Sequence, residues 1–248
     1  MKIIDIHTHT DYGTPYDCPE TELHKRNFNF LMEEYKNVGI VAGGFSYYSQ
    51  VLTTKGVVAG NIHLNNFIKG DDRVYQWIVL DPQNEETFAQ VKAMINDKKV
   101  LGIKLHPAGH GYSILDYADK IFSFANELKC FVLMHPDKID QMASYADKYP
   151  DMKLIIAHLG CVEHVEAIKN AKHKNIFTDT SGGKSSQNNV IEYAVEKVGS
   201  SNIFFGTDTY SNAFQVGRIK FARISEEDKQ NILYNNAKKH FAKQFENL

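Results

Sequence analysis

The chain has 248 residues, 43% of them hydrophobic and 23% charged, close to the average for a soluble globular protein, which excludes a disordered chain, a collagen-like fibre and a coiled coil. Its 28 basic and 30 acidic residues leave a net charge of −2, so there is no general attraction to nucleic acid or to an anionic membrane. No run approaches the ~20 consecutive apolar residues of a bilayer span, and at about 150 residues per domain the length suits two small domains or one barrel of about 250 residues.

Short apolar runs rich in Ile, Val, Leu and Phe recur at Lys2–Ile6, Val38–Ala42, Val74–Leu80, Val100–Leu105, Cys130–Met134, Lys153–Ala157, Asn175–Thr178 and Asn202–Gly206. These eight runs start 36, 36, 26, 30, 23, 22 and 27 residues apart, enough each time for a helix and two loops. Continuous apolar runs of this length suit strands buried on both faces, as a parallel sheet requires.

The intervals predict helices. Thr21–Asn37 carries Phe28, Leu31, Met32 and Tyr35 at helical spacing, with Gly39 as a stop. Asn84–Asp97 opens with a cap and two acids and buries Phe88, Val91 and Ile95. Asp116–Lys129 places Ile121, Phe124, Ala125 and Leu128 on one face, and Lys138–Tyr149, Val162–Lys172 and Ser185–Val198 follow the same pattern. Ser225-Glu226-Glu227-Asp228 resembles a capping box before Ile232–Phe245. Eight strand–helix units predict an α/β fold, a single-domain (β/α)8 TIM barrel over residues 1–248. A doubly wound open sheet is the alternative, but it usually has five or six strands, and no GxGxxG turn follows the first run.

The opening MKIIDIHTHT reaches a histidine within seven positions and does not have the form of a signal peptide. Three cysteines, Cys18, Cys130 and Cys161, show no CxxC spacing, which points to a reducing, cytoplasmic compartment rather than a disulfide framework or thiolate zinc finger.

The informative residues stand where the strands end. The first run ends Asp5-Ile6-His7-Thr8-His9, the fourth Lys104-Leu105-His106-Pro107, the fifth Met134-His135-Pro136 and the sixth Ala157-His158-Leu159-Gly160. The seventh ends Thr178-Asp179-Thr180 and the eighth Gly206-Thr207-Asp208. In a barrel these ends converge on the face where barrel enzymes place their sites. His7 and His9, two apart on a strand, project on the same side and make half of a site for Zn²⁺ or a similar ion. Any one such histidine is ordinary; five of eleven at strand ends are not. His24, His63, His110, His164, His173 and His240 fall on helices or loops and are taken as surface residues. Asp208 is the preferred carboxylate, because its strand adjoins the first when the barrel closes. Asp179 competes with it but precedes Thr180 and Ser181 in what reads as a polar turn, and Asp5 is assigned to a supporting or packing role one layer deeper.

Taken together, IDIHTH, GIKLHP, VLMHP, LIIAHLG, FGTD and the closing ILYNNAKKHF resemble the amidohydrolase superfamily, in the branch of amidohydrolase-related and aminocarboxymuconate-semialdehyde decarboxylase-like enzymes. The resemblance spans residues 3 to 241. It implies that His7, His9, His135 and Asp208 ligate one divalent metal, most often zinc in this superfamily. It also implies that His158 binds a second metal or, beside a single one, orients the water or polarises the substrate. Lys104 is then either a carboxylated bridge between two metals or, with His106, a substrate-binding group; one metal is favoured. Nucleases of the TatD type and PHP phosphoesterases share the opening HxH, but they usually supply a strand-4 glutamate that this chain lacks.

The reaction expected first is hydrolysis of a C–N or C–O bond (amide, lactone or ester) of a small molecule. A bound metal lowers the pKa of its water from ~15.7 to about 7, with Asp208 as proton carrier and His158 as oxyanion or water partner. The alternative is non-oxidative decarboxylation at the same centre, with Lys104 and Arg218 as candidate carboxylate grips; a non-catalytic binding barrel ranks below both. Substrate choice is expected in the loops Thr10–Glu20 and Gly43–Gly70, where Tyr12, Tyr16, Phe45, Tyr47 and Tyr48 either wall a flat pocket or pack the loops and a dimer contact. Residues 107–111 are a candidate mobile rim. The sequence names neither the substrate nor the oligomeric state.

Overall fold

The computed structural model describes residues 1–10 and 28–248. Eight parallel strands follow one another around a ring in chain order: β1 (Ile3–Thr10), β2 (Ile40–Tyr47), β3 (Val74–Val79), β4 (Val100–Leu105), β5 (Phe131–Met134), β6 (Lys153–Ile156), β7 (Ile176–Asp179) and β8 (Ile203–Phe204). The ring closes on itself. Ile6 N–H donates to Phe205 O at 3.0 Å, and Thr207 and Asp208 N–H donate to His7 O at 3.0 and 2.7 Å. The predicted (β/α)8 barrel is what the chain forms.

The first half of the helical layer is α1 (Phe28–Val38), α2 (Tyr48–Leu52), α3 (Val57–Ile68), α4 (Glu85–Met94), α5 (Pro107–His110) and α6 (Ile114–Glu127). The second half is α7 (Ile139–Lys148), α8 (Val162–Asn170), α9 (Val190–Val198), α10 (Asn212–Lys220), α11 (Glu226–Gln230), a π-helical turn (Asn231–Asn235) and α12 (Asn236–His240). Asn84 caps α4 by accepting from Glu86 N–H at 3.0 Å, and Ser225 caps α11 by accepting from Asp228 N–H at 3.1 Å. None of these helices is long and apolar enough to cross a membrane.

Outside the strands, Ile78, Val91, Ile103, Ile121, Phe122, Val132 and Leu154 form one apolar layer against the helices. Inside the barrel, Ile4, Ile6, Trp77, Leu101, Phe131, Leu133, Ile155 and Phe177 pack with Phe241 and Phe245, which return from the C-terminal segment to plug the bottom. The closing helix expected over Ile232–Phe245 is therefore broken. Its π turn and α12 deliver these aromatic rings, with Phe131 and Phe241 centroids 4.4 Å apart.

Two pairing irregularities decide which side chains face the axis. Between Asp5 and Thr8, β1 carries one more residue than β2 opposite, and such a bulge turns the strand over locally. Asp5 consequently turns toward α1, where it accepts from Tyr35 Oη at 2.7 Å and from Thr207 Oγ1 at 2.6 Å, while His7 faces the axis. This is the supporting role expected for Asp5, though exercised behind the strand. In β4 the register shifts between Val100 and Gly102. Ile103 then packs on the helices and Lys104 points inward to His7. A Cβ at Gly102 would lie 2.3 Å from Phe131 O, so only glycine fits this bend.

Several expectations are corrected. Residues Gly43–Gly70 are not a loop but the end of β2 followed by α2 and α3. Phe45 and Tyr47 are core residues, buried among the helices, rather than a pocket wall. Residues 107–111 form α5 and its cap, anchored by His110 Nε2, which donates to Gln50 O at 2.8 Å. His110 and His164 are buried, not surface residues; His164 Nε2 donates to Ala157 O at 3.0 Å. His240 is half-buried under the barrel, its ring 4.8 Å from that of Phe177. Cys18, His24, Tyr12, Tyr16 and the loop Thr10–Glu20 beyond Thr10 lie outside the described residues.

Candidate metal centre

At the C-terminal mouth, His7, His9 and Asp208 bring one ligand atom each within 4.8 Å of one another. Each imidazole is oriented from behind. His7 Nδ1 donates to Asp179 Oδ2 at 2.9 Å, and His9 Nδ1 donates to Ser46 O at 3.2 Å. Fixing the proton on Nδ1 leaves the Nε2 lone pair facing the axis, which is how supporting hydrogen bonds prepare a histidine for a metal. His9 Nε2 stands 3.3 Å from Asp208 Oδ1. His158 is held in the same way: its Nδ1 donates to Ser181 Oγ at 2.9 Å, and its Nε2 lies 3.9 Å from Asp208 Oδ2.

His158 and Asp208 both adopt left-handed backbone conformations, φ 64° and 56°. Non-glycine residues rarely accept this strain, and it collects at functional sites. Here it turns both side chains inward as their strands end.

Asp179 is the residue that the sequence undervalued. It is fully buried and forms no turn surface. Besides His7, it accepts from Ser181 N–H at 2.8 Å, from Ser181 Oγ and from His158 N–H at 3.4 Å. It thus ties two of the site's histidines together. The legible signal was an Asp-x-Ser at a strand end; its partner His7 lies 172 residues away in the chain.

His135 lines a cavity of about 370 Å³ with His158, Asp208, Lys184 and Tyr210. Its ring centroid is 5.2 Å from that of His158, which in turn is 5.0 Å from that of His7. It stands outside the trio whose ligand atoms lie within 4.8 Å, and its Nδ1 is buried with no hydrogen-bond partner among the described residues. His106 stacks on it at 4.1 Å between centroids and uses Nδ1 to accept from Gly109 N–H at 2.9 Å, capping α5.

Burial sets the electrostatics. It pushes His7 and His9 well below the ordinary imidazole range, aided by the neighbouring Lys104 charge, and lowers His135 to about 3 and His158 to about 4. His106 falls to about 2, again by burial first and then the charge of neighbouring groups. All five imidazoles are therefore neutral at pH 7, as ligands must be. Lys104 is buried, and this pulls it down to about 8 against the opposing pull of Asp208 and Asp179. Its Nζ donates to His7 Nε2 at 2.7 Å, so a cation already sits on the lone pair a metal would use. With oriented lone pairs, a carboxylate and an orphaned buried nitrogen, the donor set fits a divalent metal.

Residues 4–242 match the sequence model of the amidohydrolase family. The chain belongs to the amidohydrolase family. The fold is similar to that of 5-carboxyvanillate decarboxylase LigW from Sphingomonas paucimobilis, with TM-score 0.78, 13% identity, and 97% of this chain and 99% of that one covered. It is also similar to 2,6-dihydroxybenzoate decarboxylase from Rhizobium, at TM-score 0.74, 15% identity and coverage of 97% and 98%. A third is a dihydroxybenzoic acid decarboxylase from Polaromonas sp. JS666 with bound manganese and 2-nitroresorcinol, at TM-score 0.75, 15% identity and coverage of 97% of both chains. No curated protein matches. These neighbours share the barrel fold of this chain.

Two further expectations meet the geometry of this amidohydrolase differently. Lys104 reaches the centre, as described. Arg218, the other candidate carboxylate grip, does not: on α10 it pairs with Glu192 of α9 at 2.8 Å. Tyr48 remains at the site, with its ring 5.7 Å from that of His9.

Proposed function

We propose that this amidohydrolase is a divalent-metal-dependent decarboxylase of a small carboxylic acid, with one metal held by His7, His9, Asp208 and His135. The observation that carries this reading is Lys104, a buried ammonium set against His7 at the heart of the cluster. A buried cation is costly to leave unpaired, and a substrate carboxylate is the natural partner where a neutral amide or lactone is not. The decarboxylase neighbours support the same choice over hydrolysis.

A bound divalent metal supplies Lewis acidity to the oxygens of the acid. The remaining work falls to the chain. Lys104 Nζ grips a carboxylate oxygen, and His106 completes the substrate wall. His158 Nε2 positions the acid beside Asp208, whose Oδ2 carries the proton that replaces carbon dioxide on the carbon. One metal is preferred because the second possible trio, His7, His158 and Asp179, reuses His7 and a carboxylate already engaged by Ser181 and the His7 Nδ1–H. Zinc and manganese both suit imidazole and carboxylate donors.

Hydrolysis of a C–N or C–O bond is the second reading, favoured by the same Asp208, which can serve as base toward water. The two are separated by incubating zinc- and manganese-loaded protein with a panel of hydroxybenzoic acids and a panel of lactones and amides. The proposal expects metal-dependent carbon dioxide release with deuterium from D2O on the product carbon. Hydrolysis of the second panel without carbon dioxide release from the first contradicts it.

A further inference from the structure

Lys184 stands on the 3-10 turn Gly183–Ser186 after β7 and lines the same cavity as His135, His158 and Asp208. Its aliphatic stem is seated on the α-carbon of Gly160, just past β6. A Cβ there would lie 2.3 Å from Lys184 Cβ and 3.1 Å from Lys184 Cδ, so only glycine admits the stem. The turn itself is pinned from below. Buried Ser185 donates through Oγ to Gly182 O at 2.9 Å, and buried Gln215 of α10 donates through Nε2 to the same oxygen at 3.0 Å.

Two more glycines, next to the lysine in the chain, make room for His158 and Tyr210, which line the same cavity. A Cβ at Gly182 would lie 2.8 Å from His158 Nδ1, and one at Gly183 would lie 3.2 Å from Tyr210 Oη. Among the described residues, no acid pairs with the Lys184 ammonium, whereas Lys120, Lys148 and Lys172 on the outer layer each pair with one. An unpaired cation on a rigid turn, with its stem fitted into a cleared groove beside a reactive cavity, is built to meet an anion. Lys104 lies buried beside His7, whereas Lys184 is exposed and lines the cavity, so the two cations stand at different depths of the mouth.

We propose that Lys184 binds a second anionic group of the substrate, remote from the carboxylate held at His7, His9 and Asp208, and that the substrate is a small diacid. This rests on the decarboxylase reading, which places the reacting carboxylate at the metal cluster.

Calorimetric titration of the manganese-loaded full chain with benzoate and with isophthalate tests the assignment without turnover. The wild type is expected to bind isophthalate about tenfold more tightly than benzoate, the scale of one charge-assisted hydrogen bond. Lys184→Gln, an exposed substitution that keeps most of the stem, should bring the ratio within about twofold, and Lys184→Arg should retain the preference. An equal ratio in wild type and Lys184→Gln overturns the proposal, as does a wild type that does not prefer or does not bind isophthalate. Repeating the benzoate titration after metal removal reports on the underlying reading alone: affinity unchanged without metal contradicts carboxylate binding at the cluster, whatever the Lys184 ratio shows.

Discussion

Replacing Asp179 with Asn tests how far the centre depends on groups that never touch the metal. The carboxylate accepts the His7 Nδ1 proton at 2.9 Å and two bonds from Ser181. Asparagine can still accept from Ser181 N–H through its oxygen, which spares the local fold, but it then turns an amide N–H₂ toward His7 Nδ1–H. Two donors cannot share that contact. The imidazole must then shift its bond to Ser181 Oγ, 3.0 Å from Nδ1, move its proton to Nε2, which removes the lone pair facing the metal, or rotate away; each weakens the orientation that Asp179 imposes. Losing such a supporting partner typically lowers metal affinity 10- to 100-fold, about 1.4–2.7 kcal/mol. Competition with a fluorescent chelator at pH 7.5 measures this directly, with circular dichroism confirming the fold. Ser46→Ala is the contrast: His9 Nδ1 keeps its bond to the Ser46 backbone oxygen, so affinity should change less than about threefold. An Asp179→Asn protein within twofold of wild type would refute the reasoning that His7 is prepared by its buried acid.

His158→Asn should lower turnover by about a hundredfold or more while metal content stays near one equivalent per chain; a fall from two equivalents to one would instead establish a second metal. Gly44→Ala should cost about 1–3 kcal/mol, because the added methyl would lie 2.5 Å from Leu101 Cδ1 and 2.8 Å from both Ile6 O and Trp77 Nε1. Trp77 donates to Ile6 O at 2.6 Å and is the only tryptophan, so its emission should shift as well; an unchanged melting temperature would contradict this. His240 under the barrel is lowered to about 4 by burial and by the charges of Lys153 and Lys239, below the unfolded value of about 6.5. Between those values the unfolded chain binds the extra proton, so stability is lost as pH falls from about 6.5 toward 4. His240→Phe should lose less of its denaturant midpoint between pH 7 and pH 5 than the wild type, and an equal loss in both would refute the assignment.

The barrel was legible because its strands are buried on both faces and read as plain apolar runs, and because closure sends every strand's C-terminal end to one mouth. That topological rule carried His7, His9, His135, His158 and Asp208 to a common face, Lys104 and His106 with them. What stayed hidden depends on single-residue geometry. Nothing in the sequence marks the bulge after Asp5 that turns it toward Tyr35. The helix α3 was missed because its Gly60 and Asn61 are poor helix formers; tertiary structure uses both. A Cβ at Gly60 would overlap Gln50, and the Asn61 side chain pairs with Val79 like an extra strand, donating to its carbonyl at 2.8 Å and accepting from its N–H at 3.0 Å. Lys184 carried no signal at all, because an exposed lysine acquires meaning only from the glycine beneath its stem.

The central claim is that imidazoles and a carboxylate drawn from opposite ends of the chain share one cation. Anomalous scattering from crystals grown with manganese tests it most directly. The account predicts a single strong peak within coordination distance of the donors, with His7, His9 and Asp208 among its ligands and His135 closing the shell. A peak that engages neither His7 nor His9, or no ordered peak at the mouth under saturating metal, would contradict it.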